Sequence, residues 1–235
     1  MAESMDVLQH LNELRMRLII VILSVAVLSI ATYPLTDEVI VQMKRDVLGV
    51  YENQVIVTTP MEAVMVRLKL SILLGAFISV PLGMYELFSF VVPALHPKEN
   101  KLFLVTLFGS FILFVVGMSF SYFLLLPLTI DILLGFAVPI AQPMLILDEV
   151  MSFVILFMAV MGLIFQWPLV VGILSKADFV SHKMLAEGRA YAVLGCFIVS
   201  ALITADTTFV SQIFIAIPMV LLYEVGIVVA RIVRN

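Results

Sequence analysis

Four carboxylates lie in or beside apolar sequence, where an acid needs a reason to be. Glu13 falls in the stretch His10-Leu-Asn-Glu-Leu-Arg-Met-Arg-Leu18, and Glu99 in the proline-bounded loop that starts at Pro93 and ends at Lys101. Glu86 and Glu224 sit inside apolar helical sequence, about two turns from its end. A carboxylate accepts a cation's hydrogen bonds on two oxygens, so Glu13 and Glu99 together suit one cationic ligand. The competing assignment is local pairing in water, Glu13 with Arg17 one turn on and Glu99 with Lys98 or Lys101. An acid within a membrane span is a functional candidate, set against snorkelling to the surface or packing protonated in the bundle. Gln166, before Trp167-Pro168, is an amide deep in an apolar run and suits a hydrogen bond between helices. Asp206, in the short turn Thr204-Ala-Asp-Thr-Thr208, suits the cap of the helix that follows.

Other chemistries lack their residues. There is no His-Glu-x-x-His, no Gly-x-Ser-x-Gly and no glycine-rich phosphate loop, so neither an intramembrane hydrolase nor a nucleotide hydrolase is indicated. His10, His96 and His182 are far apart, and Cys196 is the single cysteine, which leaves no metal site, disulfide or cofactor to predict. The net charge is −4, with no basic run for nucleic acid. Any energy input is therefore expected to come from a partner or the membrane potential.

The elements that carry these residues follow from composition. Of 235 residues 63% are hydrophobic and 13% charged, with mean hydropathy +1.19, against roughly 25% charged in soluble domains. Charge-free runs predict an all-α polytopic membrane protein with six transmembrane helices, forming a single integral-membrane domain over residues 1–235. The spans are expected at about 18–33, 70–95, 102–127, 150–175, 190–205 and 207–223, the last two short. The stretch from Ile132 to Leu147 carries Pro139 and Pro143 and is expected to be a packed outer loop. Val39, Ile40, Met43, Val47 and Tyr51 recur at helical spacing, predicting an amphipathic helix over about 38–51 across the outer surface. Val7, Leu8, Leu11, Leu14 and Leu18 form a similar stripe ahead of the first span. Glu3, Asp6 and Glu13 give this segment the wrong charge for a cleaved signal peptide, so Met1 is expected to belong to the mature chain.

Arg15, Arg17, Lys98, Lys101, Lys176, Lys183, Arg189, Arg231 and Arg234 fall on one side of the spans; the loops after spans three and five hold no base, and the four remaining bases, Lys44, Arg45, Arg67 and Lys69, sit in or just after the first outer loop. Both termini are expected to be cytoplasmic. Pro81, Pro168 and Pro218 fall inside spans and predict a kinked, concave bundle.

In order and spacing, the lead-in segment, Phe90-Val-Val-Pro-Ala-Leu95 followed by Glu99, Tyr122-Phe-Leu-Leu-Leu-Pro127, and Ser211-Gln-Ile-Phe-Ile-Ala-Ile-Pro218 with Tyr223-Glu224-Val-Gly226 resemble the TatC family. This is the multi-spanning receptor subunit of the twin-arginine protein translocase, and the likeness covers nearly the whole chain. The resemblance implies six spans with both ends cytoplasmic, in the bacterial cytoplasmic (inner) membrane. It implies recognition of paired-arginine signal peptides on folded cargo, with Glu13 and Glu99 as the recognition carboxylates and Arg15 and Phe90 beside them. The signal peptide's apolar stretch would lie against the concave face, beside the spans that hold Gln166 and Glu224. It further implies single-span TatA- and TatB-like partners, a homo-oligomer within a larger complex, energy from the proton-motive force, and an outer-face role for Asp206 and Gln212. Where many members carry an acid in the fourth span, this chain has Gln166. The alternative from another class is a secondary transporter whose solute path is lined by Glu86, Glu224 and Gln166, which would predict internal repeats. No repeated segment is visible in the sequence.

Overall fold

In lipid, apolar surface gives helices little reason to prefer one another over the acyl chains, so their association depends on close backbone approach and polar contacts. The computed structural model shows both devices. It describes residues 2–91, 100–139, 142–176, 178–204 and 209–234, with side chains over 12–86, 108–139, 142–176, 178–202 and 212–233. The elements are α1 (Ala2–Thr32), α2 (Thr36–Leu48), β1 (Val55–Ile56), α3 (Pro60–Val91), α4 (Asn100–Phe120), α5 (Leu126–Ala137), β2 (Leu145–Ile146), α6 (Leu147–Ile164), α7 (Trp167–Lys176), α8 (His182–Glu187), α9 (Arg189–Thr204) and α10 (Phe209–Arg234). Among the described residues five runs, in α1, α3, α4 with α5, α6 with α7, and α10, are long and apolar enough to cross a membrane, and α9 holds a shorter apolar stretch over Arg189–Leu202. The protein is a multi-pass helical membrane protein.

The chain divides into two compact units, the first comprising Met1–Asp37 and Arg67–Ile112. Within it α1 and α3 run antiparallel along a seam of paired positions. Asp37 Oδ1 meets Arg67 Nε at 2.7 Å, and the Thr32 hydroxyl donates to the Ser71 carbonyl at 3.2 Å. A Cβ on Gly75 would fall 2.4 Å from Ser29 Oγ, 2.6 Å from its backbone nitrogen and 2.8 Å from the Val25 carbonyl oxygen. Gly83 faces Val21, and Arg17 Nη1 reaches Glu86 Oε2 at 2.9 Å. On α3 the contact row is Ser71, Gly75, Ser79 and Gly83, small residues four apart that let two backbones approach closely. The ion pairs at Arg67 and Glu86 close the seam at its two ends, about 28 Å apart along α3 at ~1.5 Å per residue.

The second unit comprises Glu38–Val66 and Leu113–Asn235. Its core holds Met151, Val154, Phe157, Met161, Ile215 and Ala230, none more than 2% exposed. Helices again cross at glycine: a Cβ on Gly117 would fall 2.7 Å from the Met161 carbonyl oxygen, and one on Gly162 would fall 2.8 Å from the Phe114 ring. Ser175 donates to the Ala230 carbonyl at 3.2 Å, tying α7 to α10. β1 and β2 pair in parallel, Val55 with Leu145 and Ile56 with Ile146. α3 starts with one half of a capping box, in which Glu62 Oε1 accepts the Thr59 amide at 3.1 Å ahead of Pro60.

Several expected boundaries move, each for a local reason. The helix expected to end at Pro127 continues, because a π-helical turn over Ser121–Leu125 widens the backbone just before it and Pro127 needs no amide in the first turn of α5. The expected outer loop is consequently helical as far as Ala137, and β2 occupies Leu145–Ile146. The run expected at 150–175 is two helices, α6 and α7, with Pro168 in the first turn of α7. α3 and α10 run on through Pro81 and Pro218. α10 also continues past Glu224 to Arg234, since Arg189 Nη2 meets the Glu224 carboxylate at 2.8 Å.

The amphipathic loop helix is α2, and Gly49, at φ +51°, ends it. Met43 and Val47 of its predicted stripe are 2% exposed, so that stripe packs into protein. On the polar face, Asp46 accepts the Tyr122 hydroxyl at 2.6 Å and the Gln42 amide at 2.8 Å. These bonds to the charged form, Tyr122's first, hold the Asp46 carboxyl below its ordinary range.

Candidate functional site

The helical repeat places residues four apart on one face, so Glu13 and Arg17 on α1 are neighbours by construction. The Arg17 guanidinium gives Glu13 Oε1 two hydrogen bonds, from Nε at 3.1 Å and Nη2 at 2.6 Å. Its third bond, from Nη1, goes to Glu86 Oε2 on α3 at 2.9 Å. Two carboxylates thus share one guanidinium in the first unit. They are not equivalent: the Glu13 side chain is 43% exposed, that of Arg17 22% and that of Glu86 12%. The local pairing of Glu13 with Arg17 is present, and Glu86 is the second partner of Arg17, reached across the helix seam.

Arg15 is exposed, and its position two residues from both Glu13 and Arg17 puts it on a different face of α1. Phe90 lies on α3 four residues beyond Glu86, its side chain outside the described residues. Glu99 and Asp206 also lie outside the described residues.

The remaining candidates fall in the second unit. Gln166 is 8% exposed at the junction of α6 and α7, where its backbone carbonyl accepts the Leu169 and Val170 amides at 3.0 Å each. With Trp167, Gly195, Cys196, Met219 and Tyr223 it lines an otherwise apolar cavity of about 420 Å³. Glu224 pairs with Arg189, both about half exposed, and the neighbouring Tyr223 hydroxyl donates to the Leu185 carbonyl at 2.7 Å. Gln212 uses its amide to bridge α10 to α9, donating to the Phe197 carbonyl at 2.9 Å. Among the described residues no group of three or more His, Cys, Asp or Glu side chains could hold a metal ion.

Sequence reasoning placed Arg17 only as a local partner and a topological charge, and missed its contact with Glu86, 69 residues on. A signal was available: the stripe Ser71, Gly75, Ser79, Gly83 marks one face of α3, and Arg67 and Glu86 continue that face at its two ends. A helix packed there needed an acid at one end and a base at the other.

Residues 9–218 match the family described as Sec-independent protein translocase protein (TatC). The chain is 34% identical to the Sec-independent protein translocase protein TatC of Aquifex aeolicus (strain VF5), over 97% of this chain and 95% of that one. It is likewise 34% identical to TatC of Carboxydothermus hydrogenoformans, over 98% and 94%. The TatCy protein of Bacillus subtilis (strain 168) is 30% identical, over 97% and 89%. Among solved structures, a crystal structure of the twin arginine translocase receptor TatC superposes with a TM-score of 0.87 at 33% identity, covering 96% of this chain and all of that one. A second, of the same receptor in DDM, gives 0.85 at 34% identity, covering 93% and 98%. The chain belongs to the TatC family of Sec-independent protein translocase proteins, transport components of a multi-subunit membrane translocase.

Proposed function

We propose that this chain is the signal-peptide receptor and core subunit of a twin-arginine translocase. It binds the paired arginines of signal peptides on folded proteins and organises their Sec-independent export. The observation that supports this most directly is Glu13: a half-exposed carboxylate on α1 that already accepts two hydrogen bonds from a guanidinium. Arginine presents a planar fork that a carboxylate matches and a lysine ammonium does not. Two consecutive arginines need two carboxylates, and Glu13 and Glu99 are the pair, with Arg15 and Phe90 beside them. Glu86 and Glu224 each hold an arginine, so neither supports the transporter alternative.

In this proposal both termini face the cytoplasm of a bacterial inner membrane, a reading supported by the excess of Lys and Arg on that side of the spans. The base at the outer end of α3, Arg67, is paired with Asp37, which offsets its charge there. TatA- and TatB-like single-span subunits and further copies of this chain complete the passage for folded cargo. Asp206 and Gln212 belong to the outer face.

The test is binding of a fluorescent signal peptide to the protein in nanodiscs, with Arg-Arg compared against Lys-Lys. The Arg-Arg peptide is expected to bind at least tenfold more tightly, and Glu13→Ala or Glu99→Ala to remove about that preference, ~1.4 kcal/mol. Equal binding of both peptides, or variants that bind as wild type does, would return the two carboxylates to ordinary surface charge.

A further inference from the structure

We infer that Glu86 is a positioning residue of the signal-peptide site, acting through Arg17: it keeps that guanidinium when a ligand arginine takes Glu13. The inference rests on the receptor role proposed above. Its ground is the imbalance of the cluster, in which Glu13 and Glu86 share one guanidinium. A second guanidinium, brought by a ligand, would give each carboxylate its own.

The two acids differ in what they can give up. Glu86 is 12% exposed on an apolar helix, and a carboxylate so placed loses much if its cation leaves. Glu13 is 43% exposed, and water replaces most of what a departing cation takes. The incoming arginine therefore displaces Arg17 from Glu13 alone. Arg17 needs no large motion, since it already donates Nη1 to Glu86 and only has to turn its other nitrogens from Glu13 toward the same carboxylate. Its charge stays compensated throughout. Arg17 is thus a resident occupant of the recognition carboxylate, and Glu86 sets how readily it yields.

If Glu86 is neutralised, Glu13 becomes the sole ionic partner of Arg17 in this cluster, and a ligand arginine must strand one cation to bind. The experiment measures affinity for the Arg-Arg peptide in nanodiscs for wild type, Glu86→Gln, and the double variant Arg17→Gln with Glu86→Gln. Glu86→Gln is expected to weaken binding about five- to tenfold. The double variant is expected to return to within about twofold of wild type, because the competitor for Glu13 is gone. A purely structural Glu86 would move stability and affinity together, so a double variant as weak as Glu86→Gln, or an affinity that only follows micelle stability across the three proteins, overturns the inference. Unchanged affinity in Glu86→Gln overturns it as well. A wild-type protein that does not prefer Arg-Arg over Lys-Lys sinks the receptor role and this inference together, a result distinct from the other two.

Discussion

Gly75→Ala is expected to lower stability by about 1–3 kcal/mol, although alanine is the better helix former by ~0.5–1 kcal/mol. The added methyl carbon would come within 2.8 Å of two backbone atoms of α1 as well as the Ser29 hydroxyl. Backbone cannot swing aside as a side-chain tip can, so the helices must separate. Separation would also stretch the Thr32 hydroxyl bond to Ser71, one turn away on α3. Gly83→Ala is the control on the same stripe: its Cβ would meet Val21 Cγ1 at 3.7 Å, ordinary contact, so the helix-propensity gain should survive and stability hold or rise slightly. Unfolding in mixed detergent micelles, followed by circular dichroism, measures both. Equal shifts for the two variants would mean that close approach at Gly75 does not hold α1 to α3.

Arg17→Gln is expected to cost about 2–3 kcal/mol, the largest loss among single charge removals at the described residues of the first unit. It leaves Glu86, 12% exposed, without its cation, whereas the fully buried case runs to ~3–5 kcal/mol. Glu86→Gln should cost clearly less, because Arg17 keeps Glu13 and is itself nearer water. The double variant Arg17→Gln with Glu86→Gln should recover most of the loss, since two neutral amides leave no stranded charge. A double-mutant cycle in the same micelles gives the coupling directly, and a value near zero would show that the Arg17 and Glu86 charges act independently.

Charge placement made the helices legible in the sequence, because an acid or base in lipid is costly wherever the fold does not provide for it. That same rule explains the misplaced ends. Glu224 looked like the close of the last span, yet Arg189 supplies its counter-ion and α10 continues to Arg234. Pro127 looked like a terminator, and the π-helical turn before it removed the obstacle. Proline and charge report local cost; they do not report whether a distant residue or a neighbouring turn has met it. The site divides in the same way. Glu13 with Arg17 follows from helical spacing, whereas Glu86 with Arg17 depends on how α1 packs against α3, and the small residues of α3 carried that information.

The ion pairs that close the α1–α3 seam also match this unit to its lipids. Their separation of about 28 Å is close to the ~30 Å hydrocarbon thickness of a typical bilayer. Longer acyl chains would draw one charged end into hydrocarbon or oblige the bilayer to thin around it, at fractions of a kcal/mol per ångström. Shorter chains would leave apolar helix wet. A helix hairpin with one such pair slides in depth at little cost, but one with a pair at each end has a preferred membrane.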